Sequence, residues 1–170
     1  MIIRQYKKAD EAAVWALHNA ALVPTGAHAG NGPWDDDLHH IPEIYLSPGG
    51  EFLVGVVEKE IVAMGALKRI SPTRAEVKRM RVLPRHQRQG FGQAILRSLE
   101  TRARELGIST LCLDTTTQQE PAQALYRKNG FREVGRRQQG AFEVIFFEKE
   151  LREPALPAYR RPGAASGCRV

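Results

Sequence analysis

The hexapeptide Gln87-Arg88-Gln89-Gly90-Phe91-Gly92 lies between a strand-like run and a long amphipathic pattern. Glycines at the mouth of a helix let backbone N–H groups approach an anion, and the helix dipole favours negative charge there. Arg85 and Arg88 add positive charge, so the chemistry this spacing suits is phosphate binding. A glycine turn that only lets a helix start would look the same in the hexapeptide alone. Just ahead of it, Arg74–Leu83 breaks phase. Ala75 and Val77 share one face and Glu76 and Lys78 the other, but beyond Arg79 the apolar positions become Met80 and Val82. One extra residue in a strand of period two is a β-bulge, which would leave backbone groups near Met80 open to a ligand. A strand covered on both faces would show the same slip with no functional meaning.

Other reactive residue types give less. Trp34-Asp35-Asp36-Asp37 sets three carboxylates beside an aromatic ring, suited either to attracting a cationic amine or to capping a helix on a solvated surface. His39 and His40 lack zinc-ligand spacing, and no metal is expected. Cys112 and Cys168 make neither a disulfide framework nor a zinc site. Cys112, in an apolar run, is expected to face the core without a basic neighbour to activate it. Arg136-Arg137-Gln138-Gln139-Gly140 reads as a polar turn that either touches substrate or merely joins strands.

The elements that must position these residues follow from periodicity. Met1–Tyr6 reads as a strand, and Asp10 as the N-cap of a helix reaching Leu22, with Val14, Leu17 and Ala21 on one face. Val23 to Pro33 is a glycine- and proline-punctuated loop, followed by a short helical piece near Asp37–Tyr45 that Pro42 limits. Phe52–Glu58 and Ile61–Lys68 form an antiparallel hairpin. Phe91, Ala94, Ile95, Leu99, Ala103 and Leu106 make a helical stripe that Gly107 ends. Leu111-Cys112-Leu113 is a short buried strand, and Pro121 opens a helix that Asn129-Gly130 closes. Phe131–Val134 and Ala141–Glu150 are the last strands.

A chain of 170 residues can bury a real core as one domain, here 1–150. Residues 151–170 form a basic tail rich in Pro, Gly and Ala, expected to be poorly ordered. Arg152, Arg160, Arg161 and Arg169 against Glu153 place about half of the net charge of +6 in that tail. The remaining basic residues are dispersed and not interleaved with aromatics, which argues against nucleic acid as partner. No apolar run approaches a membrane span, the N-terminus is not a signal peptide, and a cytoplasmic location is expected.

Three blocks carry a resemblance. Lys78-Arg79-Met80-Arg81-Val82-Leu83-Pro84, then Gln87–Gly92, then Gln119-Glu120-Pro121-Ala122-Gln123-Ala124-Leu125-Tyr126-Arg127-Lys128-Asn129-Gly130-Phe131 stand in the order and spacing of the GNAT superfamily of acetyl-CoA-dependent N-acetyltransferases. The chain resembles that superfamily over roughly residues 1–150. The resemblance implies an α/β (α+β) fold, a mixed and mostly antiparallel sheet of about seven strands with a bulged fourth strand, flanked by about four helices.

It also implies roles. Gln87, Arg88, Gln89, Gly90, Phe91, Gly92 and Gln93 would hold the cofactor pyrophosphate through their amides. Met80, Arg81 and Val82 would meet the acyl and pantetheine arm, with Gln119 and Tyr126 completing the acetyl-CoA site between the bulged strand and Leu111–Asp114. The Met80 N–H would polarise the thioester carbonyl. Tyr126 would protonate the departing thiolate, although its apolar neighbours Ala122 and Leu125 equally suit a core tyrosine. Glu76, fourteen residues before Gly90, occupies the place of a general base in some members and is otherwise a strand glutamate paired with Lys78 or Arg74. The expected reaction is direct acetyl transfer from acetyl-CoA to a primary amine, of a small molecule first. Alternatives are a protein N-terminus or lysine as acceptor, or a non-catalytic acyl-CoA-binding module. Members often form homodimers.

Overall fold

Seven strands form one mixed sheet in the computed structural model, which describes residues 1–22 and 30–151. They are β1 (Ile2–Gln5), β2 (Glu51–Val57), β3 (Glu60–Ser71), β4 (Arg74–Val82), β5 (Thr110–Thr116), β6 (Arg132–Gln139) and β7 (Phe142–Glu150). The order across the sheet is β1-β2-β3-β4-β5-β7-β6. Every pairing is antiparallel except β4 with β5. Parallel neighbours need a crossover, and α2 (Phe91–Glu105) supplies it. Two more helices, α1 (Glu11–Leu22) and α3 (Glu120–Lys128), complete the regular elements. This is the sheet with a bulged fourth strand that the resemblance implies.

The amphipathic stripe of α2 buries Ile95, Leu96, Leu99 and Ala103 against the sheet. Gly65 on β3 makes that approach possible, because a Cβ there would fall 2.6 Å from Ile95 Cγ2 and from Met80 Sδ. Met80 and Val82 therefore lie on the α2 face, and Val82 Cγ2 sits 3.7 Å from where a Gly92 Cβ would stand. α1 packs on β3 and β4 and buries Val14, Leu17, His18 and Ala21.

The pairing of β4 with β5 is short: Arg74 with Thr110, Ala75 with Leu111 and Glu76 with Cys112. Beyond that point no pairing is recorded between the two strands. On its other edge β4 is bulged, because Met64 pairs with Arg81 and Ala66 with Lys78, so Arg79 and Met80 together oppose Gly65. A bulge adds local twist, which helps part β4 from β5.

Several expectations are corrected. The Asp10 carboxylate does not open α1; it receives Arg4 Nη1 (2.7 Å), Arg4 Nη2 (2.9 Å) and the Lys7 N–H (2.8 Å) around a 3-10 turn at Lys8–Asp10. In place of one helix near Asp37–Tyr45 there is a 3-10 segment, Pro33–Leu38, and a π-helical turn, Pro42–Leu46. The described residues thus hold three α-helices and these two short helical turns, each opened by a proline, Pro33 and Pro42. Arg136–Gln139 belong to β6, and the turn is Gly140-Ala141. Leu151 is buried and its N–H bonds to Ser109 O (2.7 Å). The tail expected beyond it, and most of the loop expected from Val23, lie outside the described residues.

Candidate active site

The parting of β4 and β5 opens a cleft of about 500 Å³. Met80 and Arg81 line it from β4, Asp114, Thr115 and Thr116 from β5, Gln119 and Tyr126 from the α3 region, and His18 from α1. Four buried side-chain atoms among the described residues lack a hydrogen-bond partner: His18 Nδ1 and Nε2, Arg81 Nε and Thr116 Oγ1. All four belong to residues that line this cleft. Buried polar atoms are normally satisfied, so these atoms leave hydrogen-bonding capacity open to a ligand or to water in this cleft.

The bulge has its own scaffold. Arg79 adopts φ +56°, a left-handed conformation uncommon outside glycine. Its side chain runs to the Pro33–Leu38 turn, where Nε donates to Asp37 Oδ2 (2.8 Å), Nη1 to Asp35 Oδ1 (3.0 Å) and Nη2 to Trp34 O (2.6 Å) and Asp37 Oδ1. Tyr45 Oη donates to Asp37 Oδ2. Burial opposes ionisation of Asp37, but the hydrogen bonds from Arg79 and Tyr45 outweigh it and hold the carboxyl below its usual range. The Asp35–Asp37 cluster is therefore neither a solvated cap nor a free attractor of cations. It is the anchor of the bulge, and periodicity gave no sign of it because the partners are more than forty residues apart.

Arg81 lies between Met80 and Val82 and so projects to the opposite face, toward α1. Its Nη1 donates to Met80 O (2.8 Å), and burial, followed by Arg79, lowers its pKa. His18 Nε2 comes within 3.2 Å of Asp35 Oδ1 without hydrogen-bond geometry. Burial and then Arg81 push the His18 pKa down to about 4, so the ring is neutral at pH 7. The sequence pattern gives His18 and Arg79 no site role and offers Asp37 only within the acidic cluster; the one signal of the anchor is the run of charge on a strand that should alternate.

Tyr126 is buried, edge-on to Phe131 at 5.7 Å between centroids, and the described residues offer its hydroxyl no hydrogen bond. Burial pushes its pKa up to about 12, Asp114 adding to the rise and Arg81 opposing it. The hydroxyl thus stays protonated at neutral pH. Asp114 is exposed at the cleft and makes no ion pair among the described residues. Glu76 is elsewhere: it sits where β4 and β5 are still paired, with Lys78 Nζ at 3.2 Å, and it does not line the cleft. Cys112 is half-buried rather than core-facing, and Arg74 is near it; burial still raises its pKa.

The glycine loop has the geometry of an anion cradle. Gly90 is the N-cap of α2 at φ +84°, and Arg88 is also left-handed at φ +62°. Ala94 N–H makes the first intrahelical bond, to Gly90 O (3.0 Å), so the N–H groups of Phe91, Gly92 and Gln93 precede the ladder. A Cβ at Gly90 would meet nothing within 4 Å, which leaves the approach to those donors open. Gln87 and Gln89 brace the loop from within, through Val82 O and Arg85 O (both 3.1 Å), and Gln93 exchanges hydrogen bonds with Asn129. Arg85 is drawn off to Glu60, while Arg88 makes no ion pair among the described residues. Gln119 Oε1 accepts from Thr115 Oγ1 (2.8 Å) at the cleft wall. Loop donors, bulge and Tyr126 fit the phosphates, arm and thioester of acetyl-CoA.

Splayed central strands, a bulge opposite a crossover helix and a glycine-capped helix N-terminus are the arrangement that the resemblance implies. The model of the Acetyltransferase (GNAT) family matches residues 14–131, and the chain belongs to this family. Human N-acetyltransferase 8 is 38% identical over 134 residues, covering 70% of this chain and 59% of that protein, so the chain spans somewhat over half of this relative. A GNAT-family acetyltransferase from Staphylococcus aureus Mu50 shares the fold with a TM-score of 0.81 at 22% identity, over 89% of this chain and 99% of the other. The yncA structure from Salmonella typhimurium, which holds its cofactor acetyl-CoA, aligns with a TM-score of 0.71 at 22% identity, over 94% of this chain and 99% of that one.

Proposed function

We propose that this protein transfers the acetyl group of acetyl-CoA to the primary amine of a small molecule, by direct attack with both substrates bound. The observation that carries this reading is the meeting of the unpaired bulge at Arg79–Met80 with the Tyr126 hydroxyl in one cleft between parted strands. Bound acetyl-CoA supplies an activated acetyl thioester. The Phe91, Gly92 and Gln93 amides would hold its phosphates, and the Met80 N–H, in the bulge, would donate to the oxygen on which charge develops. Tyr126 keeps a proton ready for the leaving thiolate.

An amine needs a base, and Asp114, not Glu76, is the unpaired carboxylate on the cleft wall. We assign that role to Asp114, with Glu76 as a strand ion-pair partner. A reducing compartment such as the cytoplasm suits a free Cys112. A thiol-release assay over an amine panel tests the transfer and the roles assigned to Tyr126 and Asp114. Tyr126→Phe and Asp114→Asn should each lower kcat by about 10²- to 10⁴-fold with acetyl-CoA affinity retained. Glu76→Gln should leave kcat within about threefold; if it alone abolishes turnover, the base is Glu76.

A further inference from the structure

We infer that Asn129 is a positioning residue: its side chain fixes the Tyr126 helix against the phosphate loop, and so sets where the Tyr126 hydroxyl meets the departing thiolate. This rests on the reading of Tyr126 as the acid of the transfer reaction.

α3 closes without help from the Asn129 side chain. Gly130, at φ +83°, follows its last turn; the Gly130 N–H bonds to Arg127 O and the Phe131 N–H to Tyr126 O (both 3.1 Å). That is the pairing of a Schellman turn, which satisfies the last carbonyls of a helix with backbone donors alone. Asn129 nevertheless commits both polar atoms of its amide. Oδ1 accepts from Gln93 Nε2, and Nδ2 donates to Gln93 Oε1 (2.9 Å) and to Leu125 O (2.7 Å). Its own N–H reaches Tyr126 O (3.0 Å). One residue thus holds the carbonyls on either side of the Tyr126 Cα together with a side chain from the first turn of α2. Leu125 meets the same turn, its Cδ2 lying 3.6 Å from where a Gly92 Cβ would stand. Gly92 and Gln93, whose amides precede the α2 ladder, therefore bear on α3 at Leu125 and Asn129, before and after Tyr126.

Tyr126 needs such a frame. Its ring packs on Phe131 and Phe147, with centroids 5.7 and 6.3 Å away, but no described residue hydrogen-bonds its hydroxyl, which goes where α3 carries it. Nearer the start of α3, Gln123 Nε2 donates to Thr116 O and Thr117 O (both 3.1 Å) and ties the helix to β5. Asn129 closes the frame from α2, the helix whose N-terminus would meet the phosphates. Misplacing a reacting group by about 1 Å can cost about 10²-fold in rate, which is the leverage this bridge has over turnover.

Asn129→Ala and Asn129→Ser test this. Alanine deletes the bridge and the bond to Leu125 O; serine keeps a hydroxyl able to bond Leu125 O but is too short for Gln93. Each should lower kcat by about 10-fold, with the Kd of acetyl-CoA, read by calorimetry, within about threefold of wild type because the α2 amides stay in place. In a Tyr126→Phe background the same substitutions should lower kcat by less than about twofold, since the group they position is gone. A wild-type kcat in both Asn129 variants overturns the inference. So does an equal loss of kcat with and without the Tyr126 hydroxyl, the outcome of a general packing role, and so does a loss confined to the Kd of acetyl-CoA. Where Asn129→Ala is too unstable to assay, Asn129→Ser decides. If Tyr126→Phe itself keeps wild-type turnover, the acid assignment falls and this inference with it; if Tyr126→Phe is impaired and the Asn129 variants are not, only this inference falls.

Discussion

Arg79→Met tests whether the acidic turn holds the β4 bulge in place. The substitution keeps most of the stem and deletes the guanidinium. It removes hydrogen bonds to Asp37, Asp35 and the Trp34 carbonyl, and leaves a buried Asp35 and a half-buried Asp37 with no cation bonded to them. Asp35 is 4% exposed, so solvent cannot take over. Removing one partner of a buried ion pair costs about 3–5 kcal/mol. In a domain of this size each kcal/mol lowers Tm by about 2–4 °C, so Tm should drop by about 6–20 °C. Arg79→Met with Asp37→Asn should lose less than the two single losses together, since no unpaired charge then remains at Asp37. Catalysis should suffer separately. Without its anchor nothing holds Arg79 at φ +56°, the β3–β4 ladder can close over the bulge, and the Met80 N–H is lost to it. One such donor is worth about 10²- to 10³-fold in kcat. Thermal unfolding and steady-state rates at saturating acetyl-CoA read both effects. A Tm within about 2 °C of wild type, or strictly additive losses in the double variant, would refute the clamp.

Two further perturbations separate other parts of the site. His18 carries a pKa lowered from 6.5 to about 4, so between those values the unfolded chain binds more protons than the folded one. Stability is therefore full above about pH 6.5 and falls by ~3 kcal/mol as the pH drops toward 4. Urea midpoints at pH 7.5 and 5 should show about 2 kcal/mol of that loss in the wild type and a smaller one in His18→Leu; parallel slopes would discredit it. Gly90→Ala forces a side chain into φ +84° where no atom lies within 4 Å, so only backbone strain opposes it, about 1–2 kcal/mol. Tm should fall by about 2–8 °C, while the Kd of acetyl-CoA, read by calorimetry, rises disproportionately. An unchanged Kd would mean the loop amides do not carry the phosphates.

What was legible in the sequence had local causes. The α2 stripe, the glycine N-cap and the phase slip on β4 each involve residues within a few positions of one another, and the structure reproduces them. The helical piece expected near Asp37–Tyr45 divides into two turns, Pro33–Leu38 and Pro42–Leu46, whose exact shape depends on docking and not on propensity. The Asp35–Arg79 and Asp37–Arg79 pairs could not be read, since nothing in either segment points to the other. Glu76 was placed by its distance from Gly90, but the β4–β5 pairing still holds at that point and keeps it out of the cleft. Asp114 lies beyond the parting and faces it. Neither fact has a signature in periodicity.

The slip itself decides both sides of the site. Were β4 to alternate without interruption from Ala75 and Val77, Arg79 and Arg81 would fall on the α2 face. There they would meet Ile95 and Leu99, which are fully buried, and two guanidinium groups would lose hydration with no acid to replace it. The extra residue returns Met80 and Val82 to that face and turns Arg81 toward His18 and α1. The same irregularity thus takes the Arg79–Met80 backbone out of step with Gly65 and keeps Arg81 away from the α2 core. Both follow from a single inserted residue, which is why the anchor at Asp35 and Asp37 matters to both.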